Sequence, residues 1–489
     1  MMDKEAKQSV PSYLECAQPN PASNRAPWYK NIAPSYAGIF LWFVFWSGAA
    51  TCGGSDAAGG ILAKGWGTAL LGVLLGAAIC YVLFYLVFGR LGQKTGLPLY
   101  IVGSSTFGAT GGFILPGFFM GLLQFGWVAV NIFGATAALN MMFKLPAGSL
   151  FGGDGGAVSP LIYVIMLVWG VSAVVMALKG IKYVAMISTW MPLIPALTLI
   201  VLVAKTAGGL GSFDAAAFVK AATAGGVKGA AMGSTAIIFL LITYIVGFTA
   251  TAGAAGVDFG TSARDKKDVV LGGFAGVLLA ILLTAGLSIM IVAGFYGTAD
   301  GQALLAQNQV ILDPVALTGK ILKNDRTGEI VAFLLAICAF PSCCFSSLIA
   351  ANSIKTTLPK INPWVSCGIG CVIAEILAML GVAGKLGAIF GFFGASFGPI
   401  CGAMVAEYFL NKGRWTGPRA GFNPAGWIAW AVGFVIGAQP QLVAWGVPLG
   451  KPLPLSLIFA FFAGAVIYAL LSKCQSRILP YPQAENQAE

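Results

Sequence analysis

Histidine is absent from all 489 residues, and charged side chains make up only 9% of them. The first absence removes His-based metal sites, imidazole proton relays and any Ser-His or Cys-His nucleophile pair. No paired-carboxylate motif or nucleophile–base spacing takes their place, so the residues argue against an enzyme. The second absence excludes an ordinary soluble domain, in which roughly a quarter of residues are charged. Hydrophobic residues reach 58% and the mean hydropathy is +0.86. At ~20 residues per apolar helical span, a chain of this length holds about twelve spans with short loops. The ten cysteines form no C-x-x-C pair or secreted-type framework. Most fall inside apolar segments and read as small core residues. The net charge of +11 comes from basic residues scattered through short loops. It is a topology signal, not a nucleic-acid surface, and no obligate protein partner is implied.

In chain order, residues 1–34 read as a flexible cytoplasmic tail, polar and proline-rich, ending near interfacial Trp28, Tyr29 and Lys30, with no cleavable signal peptide. Apolar spans are expected at about 35–62, 66–89, 113–143, 158–180, 183–205, 230–257, 268–296, 328–354, 362–381, 386–409, 424–446 and 453–473. Residues 476–489 form a second cytoplasmic tail. An even number of spans puts both termini on one side, and most lysines and arginines fall there, among them Arg90, Lys94, Arg264, Lys266, Lys267, Lys412 and Arg414. By the positive-inside rule that side is cytoplasmic, in a multi-pass cell-membrane protein.

Gln124, Trp127 and Asn131 lie three and four residues apart in the third span, so a helix places them on one face. Hydrocarbon would not solvate two amides, so that face must point into protein or a cavity. A flat, polar-edged ligand would suit it, with the indole stacking on its face and the amides reading its edge. Two amides gluing helices together, with Trp127 as packing, would produce the same spacing.

Two spans carry similar interruptions. The first contains Ser47, Gly48, Ala49, Ala50, Thr51, Cys52, Gly53 and Gly54, and the sixth contains Gly247, Phe248, Thr249, Ala250, Thr251, Ala252 and Gly253. Glycines at corresponding positions five spans apart point to the opened helices of an inverted-repeat carrier, although glycines also serve close helix packing. The repeats would cover 35–225 and 226–412, with 413–475 holding two further helices. The eighth span is unusually polar after Pro341, with Ser342, Cys343, Cys344, Ser346, Ser347 and Asn352. These groups either line a site or bond back to carbonyls freed by the proline. Asp258 and Glu407 are expected to pair with loop cations, whereas Glu375 is drawn inside the ninth span. Asp154, in F-G-G-D-G-G, belongs to an outer loop that lacks the lysine of a phosphate loop.

Several stretches resemble cytosine/purine permeases of the nucleobase–cation symporter family, which also holds hydantoin, allantoin and uracil carriers. They are K-T-G-L-P-L-Y-I-V-G-S-S-T-F-G at 94–108, L-L-Q-F-G-W-V-A-V-N at 122–131 and V-D-F-G-T-S-A-R at 257–264, with G-P-I-C-G-A-M-V-A-E-Y-F-L-N-K-G-R-W at 398–415 and F-N-P-A-G-W-I-A-W at 422–430. The resemblance runs from about Trp42 to Leu470. It implies an all-α polytopic fold of twelve transmembrane helices: a LeuT-type five-plus-five inverted repeat with helices 1 and 6 broken, plus two extra helices. It also implies a substrate ring held between Trp127 and Phe248, or Thr249 if the alignment slips by one. Gln124 and Asn131 flank the tryptophan, Thr251 lies past the break in span six, and Ser47 lies at the break in span one. Span eight departs from the family: F-P-S-C-C-F-S-S leaves Ser346 nearest a family asparagine and Ser342 nearest a hydroxyl pair.

The reading is a secondary active symporter importing a nucleobase, cytosine or a purine first, by alternating access. Related hydantoin, allantoin or uracil carriage and an amino-acid or amine carrier of the same fold are the alternatives. A channel fits broken helices around a closed site less well. No cofactor is expected beyond a coupling ion. Sodium would take opened backbone at Ala49 and Cys52 with Ser342 and Ser346, whereas a proton would need Glu375. The balance leans to sodium.

Overall fold

Where no water reaches the backbone, a chain must satisfy its N–H and C=O groups internally, and a chain this apolar does so as helix. A computed structural model describes residues 11–37, 45–46, 48, 57–151, 156–311, 313–337, 339–358 and 360–481. Among these residues there is no β-strand, only isolated bridges such as Ala26 with Ala263. The first span opens with α1 (Ile32–Ala37). Then come α2 (Trp66–Thr95), α3 (Ala109–Phe143), α4 (Pro160–Leu178), α5 (Met186–Ser212), α6 (Ser234–Ala254), α7 (Lys266–Gly297), α8 (Asp325–Lys355), α9 (Pro363–Met379), α10 (Ala388–Leu410), α11 (Pro424–Ala444) and α12 (Ser456–Leu470). Nine of these among the described residues are long and apolar enough to cross a membrane; α9 and α12 are apolar but shorter. The order is consistent with twelve spans. Asp154 and the break expected in the first span lie outside the described residues, Gly48 apart.

Helices five positions apart pack on each other. Tyr36 of α1 donates to the Ala252 carbonyl of α6 at 2.8 Å, and Tyr85 of α2 donates to Val269 of α7 at 2.9 Å. The end of α3 meets the start of α8 through Lys144 and Glu329, 2.6 Å apart. The start of α3 meets the end of α8 where the Ser353 hydroxyl donates to Gly117. Those two helices are therefore antiparallel. Gly170 of α4 faces Glu375 of α9. Five-offset pairing with reversed direction is the geometry of two five-helix units inserted in opposite senses.

Three expectations change. The sixth span is continuous through its glycine run; its discontinuity is a turn at Ala255, before a short helix at Gly256–Gly260. The glycines admit neighbours instead: a Cβ on Gly247 would stand 2.7 Å from the Phe390 carbonyl of α10, and one on Gly253 2.6 Å from the Phe84 carbonyl of α2. The segment before α1 is not a free tail. Leu14 is fully buried, Tyr13 donates to Ala109, and the Asn20 and Ala26 amides donate to Gly96 and Ser262. Finally, Glu407 does meet a loop cation, Arg419 at 3.6 Å, and accepts from Thr416. Asp258 does not, because Arg264 turns to Asp268 at 2.7 Å.

Candidate functional site

A small chamber lies between α3, α6 and α8. Gln124 and Trp127 line it from α3, Phe248, Thr251 and Ala252 from α6, and Ser342, Phe345 and Ser346 from α8. These are six of the residues singled out in the sequence, with Ala252 and Phe345 added. The chamber holds only about 20 Å³, room for roughly one water. A planar ring enters only if the walls move.

Each wall follows from local structure. On α3 the spacing of three brings Gln124 and Trp127 to the same side. The Trp127 indole N–H donates to Thr251 Oγ1 at 2.9 Å, tying α3 to α6. Gln124 is buried with its Nε2 against Met120 Sδ at 3.4 Å, and its Oε1 has no partner among the described residues. Asn131 does not line the chamber: its Nδ2 folds back onto the Trp127 carbonyl at 2.8 Å, although its Oδ1 is unpaired among the described residues. On α6, Phe248 faces the chamber, whereas Thr249, one residue and ~100° further round a 3.6-residue helix, is turned to Cys80 of α2. On α8, Ser342 and Ser346 share a face four residues apart, while Ser347 takes the back-bonding course and donates to the Cys343 carbonyl at 2.9 Å.

Aromatic groups pack against the chamber walls on two sides. Toward the chain termini, Phe345 stacks on Phe259 with centroids 5.0 Å apart, and Tyr36 packs on Phe259 at 5.3 Å. At the other end Phe390 of α10 lies 5.2 Å from Trp127 and 6.0 Å from Phe248, and Phe393 lies 5.2 Å from Trp127. Nothing in the sequence pattern singled out Phe390 and Phe393 beyond their spacing of three. Beyond the Phe259–Phe345 stack opens a cavity of about 430 Å³, lined by Asp258, Asn352 and Tyr100 and covered by Gln18–Pro21. Asn352 thus belongs to this cavity and not to the chamber. Asp258 is partly withdrawn from water, which pushes its carboxyl up to about 7.

Among the described residues no group of three or more Cys, Asp or Glu side chains could hold a metal. The α8 half of the expected sodium site, Ser342 and Ser346, lies at the chamber. Ser47, Ala49 and Cys52 lie outside the described residues.

A small chamber flanked by aromatic groups, between the antiparallel α3 and α8 and next to a wider cavity on one side, is the arrangement of an alternating-access carrier. The chain belongs to the family of permeases for cytosine/purines, uracil, thiamine and allantoin, which it matches over residues 35–439. It is 23% identical over 403 residues to the cytosine permease of Escherichia coli (strain K12), covering 80% of each chain. It is 24% identical over 455 residues to the allantoin permease of Bacillus subtilis (strain 168), covering 86% of each. Its fold is similar to that of Mhp1, a nucleobase-cation-symport-1 family transporter, in a closed conformation with bromovinylhydantoin bound. That match has a TM-score of 0.64 at 15% identity and covers 93% of this chain and 94% of the other. The protein is an integral membrane transporter of LeuT-type fold and not an enzyme.

Proposed function

We propose that this transporter carries a planar nucleobase, cytosine or a purine first, together with a cation. The observation that carries the reading is the chamber wall, where the Trp127 indole offers a face and Gln124 Oε1, unpaired among the described residues, offers an edge acceptor for a ring N–H. Phe248 closes the other face of the ring, and Thr251 and Ser346 supply hydroxyls. Ser47 would join them from the first span and Asn131 would steady Trp127. The names of the cytosine and allantoin permeases agree with this ligand class. The repeats are assigned to 35–225 and 226–412, and both termini to the cytoplasm on the lysine and arginine count. The contact from Tyr481 to the Leu14 carbonyl supports a common side.

The coupling ion is assigned to sodium, bound by Ser342 and Ser346 with carbonyls near Ala49 and Cys52. Hydroxyl and carbonyl oxygens are the ligands a small hard cation takes without a buried counter-charge. The test is uptake of a labelled panel (cytosine, adenine, uracil, allantoin) into proteoliposomes with and without an inward sodium gradient. Cytosine or adenine uptake that rises with the gradient, and falls in Ser342→Ala, is the expected result. Transport of none of the panel would overturn the substrate assignment, and a rate indifferent to sodium would overturn the ion.

A further inference from the structure

A carboxyl group is packed into the scaffold among α3, α4, α8 and α9. Glu375 of α9 is 5% exposed, and neither of its oxygens has a hydrogen-bond partner among the described residues. It faces α4 at Gly170, where an added Cβ would stand 2.1 Å from Oε1 and 2.6 Å from Cδ1 of Ile132 on α3. Glycine therefore leaves a slot that the carboxyl and Ile132 fill together. The titratable groups near it are the thiols of Cys371 on α9 and Cys343 on α8. The ion pairs of the described residues all lie elsewhere, so α3, α4 and α8 bring no cation to it. Ile132 is the residue after Asn131, and Cys343 the residue after Ser342. One backbone step thus separates the surroundings of Glu375 from residues of the substrate and ion assignments.

An ionised carboxylate in this slot would lose its hydration and gain neither a donor nor a counter-charge; the packing accommodates the neutral acid. A metal cation would want several oxygens, and the slot offers thiols and hydrocarbon instead. We infer that Glu375 is a proton-binding site, neutral while α4 and α9 close on it, and that opening this contact to water releases the proton. Because one conformation holds the proton and the hydrated one does not, acid favours the closed wall behind Asn131 and Ser342. Protons would then bias the transport cycle without touching the substrate. This last step rests on the transporter reading above; the protonation itself does not.

Two measurements on the full-length protein in lipid test it. In the infrared, wild type at mildly acidic pH should show the C=O stretch of a carboxylic acid that Glu375→Gln lacks, and that band should vanish on titration to alkaline pH. Absence of any Glu375-dependent acid band, or one that never titrates, overturns the proposal. In uptake of labelled cytosine and allantoin, Glu375→Gln, the isostere of the neutral acid, should hold the wild-type acidic rate into the alkaline range, where wild type declines. Matching pH profiles would overturn the link to transport. If wild type carries none of cytosine, adenine, uracil and allantoin, the substrate assignment fails, and the infrared titration still decides the proton site.

Discussion

Trp127 and Thr251 are joined across the chamber, indole N–H to hydroxyl at 2.9 Å, so the side chain with the largest flat face is held by the helix opposite. An incoming ring must take over this contact or slide past it. Trp127→Ala removes the stacking face, and base–aromatic stacking is worth roughly 1–3 kcal/mol per base. Nucleobase affinity should fall about ten- to a hundred-fold by that measure. Equilibrium binding to the detergent-solubilised protein checks this, and unchanged affinity would remove Trp127 from the site.

Gln124→Leu should move stability and function in opposite directions. The Gln124 Oε1 is buried without a partner among the described residues, and such a group costs about 1–3 kcal/mol. Leucine removes that cost, so the thermal midpoint in detergent should rise, while uptake falls because the edge acceptor is gone. A lowered midpoint would show that the amide is structural glue.

Gly247→Ala should loosen the contact of α6 with α10. Its Cβ would stand 2.7 Å from the Phe390 carbonyl, which is backbone and cannot swing aside. Overpacking of this kind costs about 1–3 kcal/mol. The expected result is a lower thermal midpoint and impaired uptake. Gly67→Ala is the control, since nothing stands within 4 Å of its Cβ position. It should leave both readouts near wild type, and equal losses in the two variants would contradict the packing argument.

Asp258 gives a pH dependence of stability. Its folded carboxyl is raised to about 7 by removal from water, against ~3.9 for an unperturbed aspartate. Between those values the folded state binds more protons than the unfolded one, so stability declines as pH rises through the interval and levels off above it. Asp258→Asn should flatten that decline. Thermal midpoints measured at a series of pH values in the two proteins decide it, and identical slopes would place the titration elsewhere.

Much of the fold was legible because each span is a long apolar run, and the five-offset correspondence survives in its order. The chamber residues on α3 and α8 were legible because their polar groups interrupt apolar faces at helical spacing. Between Phe248 and Thr249 the pattern alone could not choose, since that depends on how α6 is rotated against α2. Phe390 and Phe393 stayed hidden for the opposite reason: among 33 phenylalanines, an inward-facing ring on an apolar helix looks like a lipid-facing one. The segment before α1 was misread because its composition is that of a tail. Among the contacts that hold it are backbone hydrogen bonds to Gly96 and Ser262, which leave no pattern in the sequence.

That segment also fixes an order of assembly. The Leu14 carbonyl accepts from the Tyr481 hydroxyl at 3.0 Å, a contact spanning 467 positions of the chain. A ribosome exposes Leu14 at the outset and Tyr481 only after the twelfth helix. This hold on the segment before α1 therefore forms last, once synthesis has passed the final span. A nascent chain stalled before that point has the segment tied to Gly96 and Ser262 but lacks this contact between its two ends.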